Sequence, residues 1–260
     1  MLRIRKEHLA AIEETLRRNF EDEMVAHVKL FFSNHHSVMG PDLIRTAIQH
    51  GIRRALSHGL TTQRSVCLYI NAMFMLGGNF DLDIQLPWAQ KILHTARSLP
   101  ESRRADALTE GCISYIDYVA GLNNIYLYRA LSKIRDELSR IRSCSVAPYD
   151  GSEVLRNALL GRLQQLFSRK YYASGPACME TMVRYCERSA IANHLTTIRG
   201  VTLYVTIAFI LGSALESDPL ASWVDTALSD HSTPDEPTAF QRLLKESERQ
   251  LDAWLSRAKY

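Results

Sequence analysis

The sequence predicts an all-α protein built as two tandem, diverged copies of one helical-bundle module, and three observations predict it. Apolar residues recur at three- to five-residue steps along most of the chain. That is the spacing of amphipathic helices, and no stretch alternates with the period of two a strand requires. The composition, 46% hydrophobic and 23% charged over 260 residues, is that of a globular chain long enough for one large domain or two ordinary ones. Laying Leu60-Thr61-Thr62 over Leu195-Thr196-Thr197 brings the halves into register at an offset of 135 residues, without gaps.

At that offset Gly40/Gly175, Pro41/Pro176, Arg53/Arg188, Arg64/Arg199, Leu68/Leu203, Tyr69/Tyr204, Phe74/Phe209, Gly77/Gly212, Asp83/Asp218 and Trp88/Trp223 are all identical. The period far exceeds the roughly 20–50 residues of solenoid repeats, so a whole module is duplicated. The expected modules are residues 1–142 and 152–260. The linker is 143–151, where Pro148 and Gly151 interrupt the periodicity.

Within the first module, Leu9, Ile12, Leu16, Phe20, Val25, Val28 and Phe32 predict a long amphipathic helix. Gly40-Pro41 opens a second helix, because proline loses nothing at a first turn whose N–H has no intrahelical partner. Gly59 stops it, and Thr61 or Thr62 caps a third. That third helix, Arg64 to Leu76, is apolar nearly all round, which predicts a central position. Gly77-Gly78 ends it. A loop carrying Asp81 and Asp83 leads to a short helix at Pro87-Trp88, followed by helices from about 100 to 120 and 124 to 141. The second module repeats the scheme over 154–171, 176–192, 197–211 and 220–228, with a closing helix after a polar loop at 230–237.

Several function classes are disfavoured. Thirty-one basic against 28 acidic residues leave only +3, too little for a nucleic-acid footprint. Five scattered cysteines without a C-x-x-C pair argue against a disulfide framework or a zinc site. Met1 to Glu7 carries positive charge but no apolar run follows, so a cytoplasmic protein is expected. The apolar stretch from Val201 to Leu215 falls short of the about 20 residues that cross a bilayer. No nucleophile elbow, phosphate loop or dinucleotide fingerprint occurs, so no catalytic residue, metal or cofactor is expected. A helical hydrolase with an unfamiliar site is the alternative from the enzyme class.

The residues that stand out are duplicated. Asp81 and Asp83, echoed by Glu216 and Asp218, form acidic loops that a partner would meet, with Trp88 as an aromatic anchor nearby. Arg64 and Arg199 lie in the first turns of apolar helices, where the macrodipole disfavours a cation. They are expected to bond to the following loops, 77–86 and 212–221. Tyr69, Tyr204, Phe74 and Phe209 are expected in the core.

The stretch Cys67 to Leu93, CLYINAMFMLGGNFDLDIQLPWAQKIL, resembles a family of small helical proteins with the pattern L-Y-x-x-x-M-F-x-L-G-x-x-F-D-x-D-P-x-L-P-W-A. It is carried here by Leu68, Tyr69, Met73, Phe74, Leu76, Gly77, Phe80, Asp81, Asp83, Leu86, Pro87, Trp88 and Ala89. Ile84 stands where that family has proline. The second half keeps Leu203, Tyr204, Phe209, Leu211, Gly212, Asp218, Pro219 and Trp223 but loses the L-P-W-A run. Such proteins are often encoded beside type VI secretion spike and toxin genes in Gram-negative bacteria. The resemblance implies a non-enzymatic binding role: an immunity protein neutralising a cognate, cytoplasm-acting toxin, or a secretion co-chaperone that holds an effector for loading.

Overall fold

A computed structural model describes residues 6–95, 99–229 and 236–256, and the regular structure among them is helical throughout. The first half holds α1 (Lys6–Phe31), α2 (Ser33–Met39), α3 (Pro41–Ser57), α4 (Gln63–Leu76), α5 (Pro87–Thr95) and α6 (Glu101–Val119). Then come α7 (Ile125–Arg142), α8 (Glu153–Leu166), α9 (Ser168–Ser174), α10 (Pro176–Ala192), α11 (Ile198–Leu211), α12 (Ser222–Leu228) and α13 (Glu236–Leu255). Both ends of α2, α3 and α4 recur 135 residues later in α9, α10 and α11. The starts of α5 and α6 recur in α12 and α13, and the end of α1 in that of α8.

Local chemistry sets these bounds. Gly40 and Gly175 hold φ of 80° and 85° just before the prolines that open α3 and α10. The Thr62 hydroxyl accepts from the Ser65 amide at 3.3 Å, and that of Thr197 from the Gly200 amide at 3.2 Å, capping α4 and α11. The long first helix expected from periodicity is α1, which stops one residue short of Phe32, whereas the expected 154–171 helix is divided between α8 and α9. Phe32 (φ −124°, ψ 47°) and Phe167 (φ −146°, ψ 75°) leave the helical region. Phe32 turns its ring to 5.3 Å from that of Phe74, and Phe167 is buried, so at both breaks core packing overrides helix continuation.

Two hydrophobic cores result. In the first, α4 lies at the centre with Tyr69, Ile70, Met73 and Phe74 buried against α1, α3 and α6. In the second, α11 buries nine of its residues, Tyr204 and Phe209 among them. Among the described residues no helix is long and apolar enough to cross a membrane.

The break in sequence and the break in packing do not coincide. Helix α7 precedes the 143–151 segment, yet its stripe of Ala130, Leu131, Ile134, Leu138 and Ile141 belongs to the second core. The segment itself is strapped to the start of α11. Ile198 N–H donates to the Ala147 carbonyl at 2.9 Å, Arg199 N–H to that of Ser145 at 3.2 Å, and Tyr149 N–H to that of Thr196 at 2.8 Å. Two amides that open α11, left without helical partners, are thereby satisfied.

Candidate functional site

The loops after α4 and α11 meet face to face, and the meeting is reciprocal. Asp83 Oδ1 accepts from the Ser213 amide at 3.0 Å and from the Ser213 hydroxyl at 2.8 Å. Asp218 Oδ2 accepts from the Gly78 amide at 2.9 Å. Each aspartate also accepts from the amide two residues on, Gln85 at 3.0 Å and Leu220 at 2.7 Å, which folds its own loop. Further bonds join Asn79 Nδ2 to the Ala214 carbonyl at 3.0 Å and Gln85 Nε2 to the Ala208 carbonyl at 3.1 Å.

Glycine permits this closeness. Gly77 (φ 123°) lies so near the other half that a Cβ there would stand 2.8 Å from the Leu211 carbonyl oxygen, and one on Gly78 would stand 2.0 Å from Asp218 Oδ1.

These contacts correct the expectation of an acidic partner surface. Asp81, Asp83 and Asp218 are buried, with 1%, 2% and 4% of their surface exposed. They are spent on the junction and its supports, because a buried carboxylate is tolerable only where donors converge on it. Burial pushes the Asp218 carboxyl up to about 6 in spite of the amides around it. Trp88 is half-buried, its ring packed over Gly111 and 6.1 Å from Tyr115, so it holds α5 on α6. Glu216 is exposed as a residue, but its Oε1 accepts from the Tyr204 hydroxyl at 2.7 Å and from Asn193 at 2.8 Å.

Asp81 anchors an ionic cluster. Arg54 donates to its Oδ2 through Nε, at 3.0 Å, and through Nη2, and His58 Nε2 lies 2.7 Å from the same oxygen. Burial raises this carboxyl, but the His58 and Arg54 hydrogen bonds outweigh it and hold the group below its usual range. The Tyr69 hydroxyl lies beside Asp81 without closing a hydrogen bond of good geometry. Arg104 ties the neighbouring chain down through the His58 and Gly59 carbonyls at 2.6 and 2.9 Å.

Arg64 and Arg199 do not reach the loops. Arg64 pairs with Asp106 on α6 at 2.7 Å near the surface. Arg199 lies 3.8 Å from Glu236 on α13 and stacks over Phe240, 4.4 Å from its ring centre. Their helix N-termini are compensated by an acid that stands at both positions of the 135-residue offset, Glu101 and Glu236. Glu101 Oε1 accepts from the Thr61 and Thr62 amides at 2.8 and 2.7 Å, and both threonine hydroxyls donate to the same carboxylate. These bonds, led by the Thr62 amide, overcome a burial effect of opposite sign and draw the group down to about 2. Glu236 accepts from the Thr197 hydroxyl at 2.5 Å. The pair stands at the same 135-residue offset in the sequence.

The outward side of the junction is accessible. A shallow cleft of about 350 Å³ is lined by Leu82, Ile84, Tyr185 and residues 213–217, and a second of about 310 Å³ opens across Ile84 between Pro87 and Thr181. Leu82 is 48% and Tyr185 39% exposed. Apolar side chains flanked by Glu216 and Ser217 suit contact with a protein surface. Among the described residues no three His, Cys, Asp or Glu side chains converge as metal ligands would. Comparison with protein-family models, curated proteins and solved structures finds no match for this chain.

Proposed function

We propose that this chain is a non-enzymatic partner-binding protein, an immunity protein that neutralises a co-encoded type VI secretion toxin acting in the cytoplasm. We further propose that it arose as two diverged copies of one helical module. The observation that carries the binding reading is the surface over the loop junction. The junction fixes two clefts and the exposed Leu82 and Tyr185 on a rigid, hydrogen-bonded base, which favours binding by pre-organisation. The duplication reading is supported by helices that begin and end in step at one offset and by the reciprocal aspartates. Superposing the Cα atoms of 40–93 on 175–228 tests it, with one shared helical arrangement expected.

The decisive experiment is co-expression with the neighbouring toxin gene. Rescue of growth with a one-to-one complex supports immunity, and Leu82→Asp or Tyr185→Ala, both on the surface, should weaken rescue at least tenfold. A complex without rescue, with loss of toxin export on deletion of this gene, assigns the chain to effector loading instead.

A further inference from the structure

The two halves differ in one whole helix. In the second half α7 lies antiparallel to α8, with Lys133 Nζ donating to the Gln165 carbonyl at 3.0 Å and Arg162 Nε to Glu137 at 2.6 Å. It also runs along α13, where Arg142 pairs with Glu248 at 2.7 Å and Arg135 with Asp252 at 3.1 Å. Beneath it Leu166 is 6% and Leu251 8% exposed.

In the first half the corresponding surface is bare. Phe31, the counterpart of Leu166, is 66% exposed; Leu30, the counterpart of Gln165, is 73% exposed; Ile113, in the place of Glu248, is 52% exposed. Three large apolar side chains are exposed at the positions that, in the other half, an 18-residue amphipathic helix borders, and that pattern describes the missing occupant.

The chain itself carries such a helix. Leu9, Ile12 and Leu16 of α1 repeat the spacing of Leu131, Ile134 and Leu138 of α7. Ile12 and Leu16 are 52% and 56% exposed, and among the described residues neither joins a hydrophobic core, which takes up α1 only from about Phe20 onward. The geometry points to a homodimer in which the first half of α1 from each protomer fills the open groove of the other, as α7 fills its counterpart.

The template sets the register. Matching Leu131 to Leu9 and Gln165 to Leu30 brings Ile12 of one protomer beside Leu30 of the other. It also sets the exposed Ile113 in the place of Glu248, where the second half has the Arg142–Glu248 ion pair. Glu13 then falls opposite Asp117, where the second half has Arg135 and Asp252, and this like-charge pair makes the contact weaker than its template. Because both antiparallel contacts involve the same surfaces, the arrangement closes as a twofold dimer with no free groove left over. The inference rests on the correspondence between halves and is independent of toxin binding, so neither fails with the other.

Sedimentation equilibrium of the full chain at micromolar concentration should give twice the 29.6 kDa of one chain. Ile12→Glu and Leu30→Lys, both at exposed helical positions, should each give monomers of unchanged helicity by circular dichroism. Mixing the two variants should restore a heterodimer, because one of its two contacts becomes a Glu–Lys pair and the other is native. A monomeric wild-type chain, or a dimer indifferent to both substitutions, overturns the proposal. So do variants that stay monomeric when mixed. A monomer that binds a synthetic peptide of residues 125–142 would give the groove to a helix of another protein.

Discussion

The acid at the same position in the two halves is met once by a charged partner and once by neutral ones. In the first half Asp81 is buried between Arg54 and His58 beside Tyr69. In the second Glu216 meets Asn193 and Tyr204, while Ser189 stands in the place of Arg54. A short acid buried beneath the loop needs cations to compensate its lost hydration. A longer acid that reaches solvent needs only neutral donors. A bundle of this kind therefore requires an anchor between the loop and the α3 or α10 helix, and it tolerates wide variation in the chemistry of that anchor.

The sharpest test of equivalence lies in the central helices. Phe74 and Phe209 are 3% and 0% exposed, so truncating either to alanine should cost about 3–5 kcal/mol. Chemical denaturation measures both, and a large loss in one half alone would break the comparison. Next come the anchors. Asp81→Ala leaves Arg54 and His58 facing an empty site and should cost about 3 kcal/mol, against about 1 kcal/mol for Glu216→Ala, whose partners can turn to water. Equal losses would mean that the ionic cluster and the neutral one do the same work.

Gly78 and Ser213 occupy matching positions at the junction, yet only Ser213 has room for a side chain. Gly78→Ala should cost about 1–3 kcal/mol by forcing Asp218 away, and Ser213→Ala about 1 kcal/mol through the hydroxyl shared by Asp83 and Ile84. A last pair of effects concerns pH. Burial draws His35 down to about 4, so its contribution is full above about 6.5 and is lost as pH falls toward 4. Asp218, raised to about 6, acts in the opposite sense. Its contribution is present below its ordinary value near 3.8 and lost as pH rises through 6. His35→Leu should flatten the fall in stability between pH 6.5 and 4, and Asp218→Asn should steepen it, in melting curves recorded across that range.

The sequence made visible what neighbouring residues decide. Gly40-Pro41, Thr62 and Gly77 fix helix ends through backbone geometry and side chains a few residues away, so α3 and α4 are readable from the chain alone. What it concealed depends on distant contacts. In Asp81-Leu82-Asp83 the acids turn inward and Leu82 outward, the reverse of what an isolated polar loop would do. That inversion depends on Arg54 and His58, more than 20 residues before Asp81, and on Ser213 of the other half, which donates to Asp83. Arg64 follows the same rule, since its partner Asp106 lies 42 residues away and carries no local signal. Helix α7 shows the limit for domain boundaries: the proline and glycine of 143–151 mark a turn, while the packing that assigns a helix to a core is invisible to periodicity.

The reciprocal aspartates also have a consequence in time. As the chain leaves the ribosome, the Gly78 amide waits for Asp218, 140 residues later, and the Asp83 carboxylate for Ser213, 130 residues later. Closing the junction is thus a late event of high contact order, and until it happens two polar groups meant for the interior face water. The two loops therefore complete each other, since each supplies an amide that the other's aspartate requires.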